Sequence, residues 1–380
     1  ARTSLRFERE ATYPIPALVD SNSFHLAAYG SSSCQCLLGC EPPDRHGVLQ
    51  LGSEVVLRVL ITGGNGFIGS HVVDLFLQRG FTVRCLVRRT ADLRWLEGKE
   101  IETAQCSALD DSATIAEALK DAQVVVHSAG TVSARTPQEY EQINAEPARL
   151  LLDACKRNGT LERFVLISSL GAAGPNAVVD RALTEPDTCR PISAYGRSKL
   201  KAEEITREYT GTVPFTILRP SAVYGPRDPN MLRLFENAKL KGKLHYFGPA
   251  VKSMSLVSVQ DVARGVYQAT VSNRTVNETY FLGSERFYGL DDVRSALESS
   301  VGREVKAVGV PELVKHGMMI YADFLTRMLQ RKTLLDRDRL NTLSYPNWTC
   351  DVSKAKKDFE FEETTPLATG FQQTYEWYRQ

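Results

Sequence analysis

A short apolar run, Val55-Val56-Leu57-Arg58-Val59-Leu60-Ile61, passes directly into Thr62-Gly63-Gly64-Asn65-Gly66-Phe67-Ile68-Gly69. Interrupted only by Arg58, it has the character of a strand buried on both faces of a parallel sheet. Glycines recur at 63, 66 and 69; a helical pattern over 70–78 follows at once, with Gly80 as its stop. A strand that enters a helix through so tight a turn commits the chain to a β-α unit, which buries its apolar faces in a layered α/β sheet. The turn also leaves backbone N–H groups and the positive end of the helix open to a pyrophosphate, with no side chain in the way. Any tight turn can use glycine, so the pattern draws its meaning from the strand before it and the helix after it. On that basis Gly63, Asn65, Gly66, Phe67, Ile68 and Gly69 are expected to bind a dinucleotide.

The alternation continues downstream. Apolar runs at 82–87, 124–127, 164–167 and 215–218 read as strands. Helical spacing marks 111–120, 137–158 and 194–209. The expected fold is an α/β doubly wound parallel sheet of Rossmann type. Beyond about Asp228 helical segments dominate, apart from an apolar run at 255–259, and predict a smaller, mostly helical C-terminal substrate lobe. The expected division is 55–227 for the dinucleotide-binding domain, with 255–272 returning to it, and 228–254 plus 273–380 for the lobe.

Residues 1–54 stand apart, with Ser31-Ser32-Ser33-Cys34-Gln35-Cys36, Pro42-Pro43 and no sustained period of 2 or 3.6. They are read as an extension outside the core: a tag, a processed leader or a misassigned start. Cys34, Cys36, Cys40 and His46 lack the paired spacing of a zinc site, so no metal is expected. Lys+Arg 46 against Asp+Glu 45 gives no basic field for nucleic acid, and no window of 18 uncharged apolar residues exists to span a membrane. The eight scattered cysteines suit free thiols in a reducing cytoplasm.

Two further features carry chemistry. Val87-Arg88-Arg89-Thr90 ends the second strand, where NAD sites usually offer a carboxylate to the ribose hydroxyls. Arg88 and Arg89 would instead pair with a 2′-phosphate, so NADP is preferred, with NAD the alternative if both side chains face solvent. Tyr195-Gly196-Arg197-Ser198-Lys199 places Tyr195 and Lys199 about one helical turn apart on one face. An ammonium near a phenol lowers its pKa from about 10 and favours proton exchange with a substrate oxygen. Ser169 ends a strand upstream and can donate to the same oxygen.

With these motifs in place the chain resembles the extended short-chain dehydrogenase/reductase superfamily, the NAD-dependent epimerases/dehydratases, from about Val55 to Arg379. His127-Ser128-Ala129-Gly130, Asn144, Ser169, Tyr195/Lys199 and Arg219-Pro220-Ser221-Ala222-Val223-Tyr224-Gly225-Pro226 carry the resemblance. It implies Tyr195 as acid/base, Lys199 as ribose anchor, Ser169 as substrate-oxygen donor and Asn144 as organiser of a proton-relay water. It places Leu109, Ala129 and Gly130 along the cofactor, and Pro220 and Val223 near the nicotinamide.

Departures from the family pattern narrow the substrate. Ser107-Ala108-Leu109 lacks the usual adenine-contacting acid. Ala222 stands where sugar-nucleotide enzymes commonly have Asn, and Met254-Ser255 where they often have Arg-Asp. Leu170-Gly171 replaces the Asp-Glu of sugar dehydratases. Each change removes polar grip. Tyr246-Phe247-Gly248, the 255–262 stretch and the C-terminal segment resemble the 3β-hydroxysteroid dehydrogenase and dihydroflavonol reductase-like branch. The expected activity is alcohol–ketone oxidoreduction on a mostly apolar small molecule. A sugar-nucleotide epimerase with tightly held NAD is the runner-up, and a non-catalytic dinucleotide sensor is an alternative of another class. The Met-rich 311–330 segment has three readings: a helix over an apolar substrate, lobe packing or a homodimer seam, and a membrane-surface helix.

Overall fold

A computed structural model describes residues 57–107, 109, 111–176, 181–248, 253–329 and 337–380. The extension expected over 1–54 lies outside the described residues. Side chains alternate along β1 (Arg58–Thr62): Val59 and Ile61 enter one apolar core, Leu60 the other. The chain continues through α1 (Phe67–Gln78), β2 (Thr82–Arg88), β3 (Ile101–Cys106), α2 (Ser112–Ala118) and β4 (Val124–His127). Then come α3 (Pro137–Asn144), α4 (Glu146–Asn158), β5 (Arg163–Ile167), α5 (Leu170–Ala173), α6 (Ala194–Arg207), β6 (Phe215–Pro220) and β7 (Ala222–Tyr224). The remainder holds α7 (Pro229–Lys241), β8 (Lys243–Phe247), β9 (Ser253–Met254), β10 (Leu256–Ser258), α8 (Val259–Val271) and β11 (Glu278–Leu282). It ends with α9 (Leu290–Val301), β12 (Lys306–Val310), α10 (Glu312–Leu329), α11 (Arg337–Leu343), β13 (Asn347–Trp348), α12 (Ser353–Phe359) and α13 (Leu367–Arg379).

Seven strands pair in parallel in the order β11-β6-β5-β4-β1-β2-β3. The order reverses between β1 and β4, and a crevice opens outside the carboxyl ends of strands at such a point. One core packs Val73 and Phe76 of α1 with Val262 and Val266 of α8. The other packs Leu151, Phe164 and Ile205. A third, around Tyr224, Phe235, Leu297 and Phe371, holds the C-terminal lobe together.

The expected doubly wound sheet is present, with three corrections. The helix expected over 137–158 is two helices, broken at Ala145 (φ −111°, ψ −51°). Pro147 has no N–H to give the Ile143 carbonyl, and its ring crowds that oxygen. Within the 273–380 stretch expected to form the lobe, β11 pairs with β6 and buries Tyr280, Phe281 and Leu282 in the main sheet. The strand expected at 255–259 is β10, paired with β7 outside that sheet.

Candidate active site

The sequence-predicted residues lie where strands of the main sheet end. Gly63 follows β1, Arg88 closes β2, Leu109 follows β3, and Ala129 and Gly130 follow β4. Ser169 follows β5 and Pro220 closes β6, with Val223 just beyond in β7.

Gly63 has φ +69°, and a Cβ there would lie 2.7 Å from the Ala129 backbone. A Cβ on Gly69 would lie 2.1 Å from the Gly63 carbonyl oxygen. The turn therefore closes only without side chains, and the Gly66 amide donates to Gly63 O at 2.9 Å inside it. Helix α1, opened by Phe67 and Ile68, has no side-chain cap, so its first amides keep the free donors of a helix start. Asn65 Nδ2 donates to Asp92 O at 3.2 Å, tying the turn to the segment after β2. Arg88 and Arg89 are exposed at the end of that strand, and Leu109 is half-buried after β3.

Behind the turn, Ala129 N donates to Thr62 Oγ1 at 3.2 Å, and Thr62 Oγ1 bonds His127 Nδ1 at 2.7 Å. His127 is buried, its pKa pushed down to about 3 by burial and then by the charge of Lys199. Sequence reasoning quoted His127 only as part of a motif. Here it buttresses the contact between the glycine turn and the loop after β4.

Lys199, Asn144 and Gly130 converge. A Cβ on Gly130 would sit 3.0 Å from Asn144 Oδ1 and 3.7 Å from Lys199 Nζ. Asn144 is the last residue of α3, at the helix break, and is 1% exposed. Its amide accepts from Thr131 N at 2.7 Å and donates to Thr131 O at 3.0 Å and Ser198 Oγ at 2.9 Å. It clamps the loop after β4 to the helix that carries Tyr195.

Ser169 caps α5, with Oγ accepting from Gly171 N at 3.0 Å. A Cβ on Gly171 would lie 3.3 Å from Ser169 Oγ and 3.6 Å from Tyr195 Cε1, so this glycine keeps the space beside both groups open. Burial raises the Tyr195 phenol above its usual pKa, against the lowering pull of Ser169. This corrects the expectation that Lys199 lowers it. Lys199 Nζ donates to the Ile167 carbonyl at 2.6 Å, and burial brings its own pKa down to about 8, opposed by Glu203.

Two contributors escaped the sequence. Glu203, fully buried one turn beyond Lys199, receives Arg219 Nε at 2.9 Å, Arg219 Nη2 at 2.7 Å and Ser168 Oγ at 2.5 Å. The Tyr195, Lys199, Glu203 spacing of four and four was the signal that could have found it. Asp338, from α11, accepts from Ala194 N at 2.9 Å and Tyr195 N at 3.3 Å. No local pattern links positions so far apart. Among the described residues no group of three or more His, Cys, Asp or Glu could hold a metal, and the five described cysteines are free thiols.

Comparison with known proteins adds the family. Ceramide reductase of Caulobacter vibrioides is 26% identical over 330 residues, covering 84% of this chain and 94% of that protein. Human 3 beta-hydroxysteroid dehydrogenase type 7 is 29% identical over 350 residues, covering 80% and 91%. The crystal structure of UDP-glucose 4-epimerase with UDP-glucose from Thermotoga maritima superimposes with a TM-score of 0.69 at 25% identity, covering 85% and 99%. A model of the NAD dependent epimerase/dehydratase family matches residues 59–289, more than half of the 380. The chain belongs to the NAD dependent epimerase/dehydratase family.

Proposed function

We propose that the chain is an NADP(H)-dependent oxidoreductase. It interconverts a secondary alcohol and a ketone on a mostly apolar small molecule of steroid, terpenoid or flavonoid-like shape. The observation that carries this reading is the grouping of Ser169, Tyr195 and Lys199 around the open space at Gly171 and Gly130, beside a glycine turn whose amides are free of side chains. Those amides and the N-terminus of α1 fit a diphosphate. Arg88 and Arg89 would take the 2′-phosphate, Lys199 the nicotinamide ribose, and Pro220 and Val223 the side of the nicotinamide ring. When bound, the dinucleotide supplies or accepts the hydride.

The chain's own residues handle the oxygen and its proton. Ser169 Oγ donates to the carbonyl oxygen and polarises it. Tyr195, a phenol that is protonated at neutral pH, delivers its proton to that oxygen in the reducing direction. Lys199 holds a positive charge behind the pair, and Asn144 fixes the loop against which the cofactor lies. Ala222, Met254 and Ser255 offer no charge to a nucleotide diphosphate, which supports an apolar substrate, as does the likeness to ceramide reductase and the human steroid dehydrogenase.

A second reading, a sugar-nucleotide epimerase, is favoured by the likeness to the Thermotoga enzyme. Cofactor turnover separates the two. Purified full chain is mixed with NADPH or NADH and a panel of steroid, long-chain acyl and flavonoid ketones, with UDP-glucose as the competing substrate. Stoichiometric oxidation of NADPH by an apolar ketone is the expected result. Conversion of UDP-glucose with no net cofactor change would replace this reading by the epimerase.

A further inference from the structure

Among the described residues, four other than glycine have a positive φ: Asp121, Arg227, Asn277 and Glu360. Asp and Asn adopt that conformation readily, and Glu360 is the left-handed cap of α12. Arg227, at φ +71°, has neither reason. A long side chain rests in this backbone state only where its surroundings impose it, and residues so held gather at functional sites.

Arg227 follows β7, which carries Val223, and precedes Asp228, the N-cap of α7. Its Nη2 donates to Asp74 Oδ2 of α1 at 2.7 Å. Its guanidinium lies 5.4 Å from the ring centroid of Trp95, in the segment after β2. Lys99, further along that segment, donates to the other oxygen of Asp74. On α1, three residues before Asp74, His71 Nε2 donates to Pro226 O at 3.1 Å. His71 is neutral, its pKa brought down to about 4 by burial and then by the charge of Arg227, so the cations that meet at Asp74 are Arg227 and Lys99. Asn65 ties the glycine turn to the same segment through Asp92 O.

Three parts of the crevice are thereby joined. The segment after β2 starts at Arg88 and Arg89, α1 starts at the glycine turn, and β7 carries Val223. In the site proposed above these serve the adenosine end, the diphosphate and the nicotinamide end of one ligand.

We infer that Arg227 is a positioning residue for the dinucleotide. It holds the segment after β2, α1 and β7 in one register, so that both ends of the cofactor find their places together. A ligand of two linked halves gains from its second half only when the two subsites are correctly spaced, and fixing that spacing beforehand removes an ordering cost at binding. Asp74 and Trp95 keep the Arg227 backbone where an arginine does not otherwise rest. Arg227 acts through these elements and is not asked to touch the cofactor. The inference rests on the dinucleotide reading of the crevice, and uses neither the apolar substrate nor the choice between NADP and NAD.

The test is calorimetric titration of the full chain, without substrate, with NADPH and NADH and with their adenosine halves, adenosine 2′,5′-bisphosphate and ADP. Arg227→Gly is the informative variant, because glycine accepts φ +71° without strain and only the side chain's contacts are lost. Expected is a loss of about tenfold in affinity for the dinucleotide that wild type binds, with its adenosine half changed by less than about twofold. The melting temperature should stay within a few degrees of wild type. Arg227→Lys keeps a cation facing Asp74 and should recover part of the loss. Should Arg227→Gly fold poorly, Asp74→Asn leaves the backbone at 227 alone and should give the same pattern, a weaker dinucleotide and an unchanged half. Dinucleotide affinity that survives in these variants would overturn the inference. So would an equal loss for the dinucleotide and its adenosine half, which would place the effect in the segment after β2 alone. Wild type that binds neither NADPH nor NADH would overturn the dinucleotide reading itself, and the inference with it.

Discussion

Helices α6 and α10 are linked through α11, by Asp338 on one side and by Lys315 with Ser344 on the other, yet they are built on opposite terms. On α6 the polar atoms are answered from within the protein. Ser193 caps Gly196 N, Asp338 takes the two preceding amides, Ser198 meets Asn144, and Glu203 meets Arg219. On α10 it is the apolar groups that go unanswered, with five large side chains facing outward. A helix whose groups are all matched internally holds side chains in one geometry, as proton transfer requires. The contrast separates a helix that holds its polar side chains in one geometry from a helix that leaves apolar side chains exposed.

The sharpest way to break the comparison is to remove the chemistry from α6 while keeping its geometry. Tyr195→Phe deletes one hydroxyl. Turnover of an identified ketone should fall by about 10²–10⁴, the usual contribution of a positioned general acid, with cofactor affinity nearly unchanged. Single-turnover kinetics with calorimetric titration of NADPH separates the two quantities. Near-wild-type turnover would show that the proton comes from elsewhere.

Legibility in the sequence follows the same division. The glycine turn, Ser169, Tyr195 and Lys199 stand out in the sequence because their motifs are local, a strand end, a turn, one helical repeat, although contacts such as Lys199 Nζ with Ile167 O are not. Strand β3 was not, since Ile-Glu-Thr-Ala-Gln-Cys at a sheet edge has no continuous apolar run. Strand β11 was hidden in a stretch dominated by helical segments. Its Glu278 is exposed, and its burial comes from partners far away in sequence, β6 and the core around Phe359. Glu203–Arg219 and Asp338–Tyr195 are long-range pairs, invisible to any window. The exposed face of α10 could not be told from a buried one, because a stripe at helical spacing says nothing of what covers it.

A second break targets the matching itself. Arg219→Met leaves the Glu203 carboxylate buried with Ser168 and a half-exposed Arg207 as its remaining partners. Removing one member of such a pair costs about 3–5 kcal/mol. Urea denaturation should show a loss of that order. The double variant Glu203→Leu/Arg219→Met should recover much of it, because an apolar pair needs no compensation. Equal destabilisation of single and double variants would mean that packing around Phe281, rather than charge, sets the value.

Cofactor choice tests a place where side chains are exposed for a different reason. Arg88 and Arg89 stand free of the core at the end of β2. A bidentate pair with a 2′-phosphate contributes about 1.5–3 kcal/mol, or about 10–100-fold in affinity. Arg88→Asp should reverse a preference for NADP, and Arg88→Ala should flatten it. Titration of both cofactors into wild type decides the matter, and equal affinities would return the choice to NAD.

The smallest expected effect lies at the seam between α6 and α11. Asp338→Ala removes the acceptor for Ala194 N and Tyr195 N, while Ser193 still caps Gly196 N. Loss of a helix cap costs about 0.5–2 kcal/mol, so melting should fall by a few degrees. Asp338→Asn keeps one acceptor oxygen and should lie between Ala and wild type. If Asp338 only stabilises this seam, kcat and KM stay put once the protein is folded. If it also sets the angle at which α6 presents Tyr195, kcat falls severalfold in Ala, less in Asn, with KM for the cofactor unchanged, because a small displacement of a positioned acid lowers rate before binding.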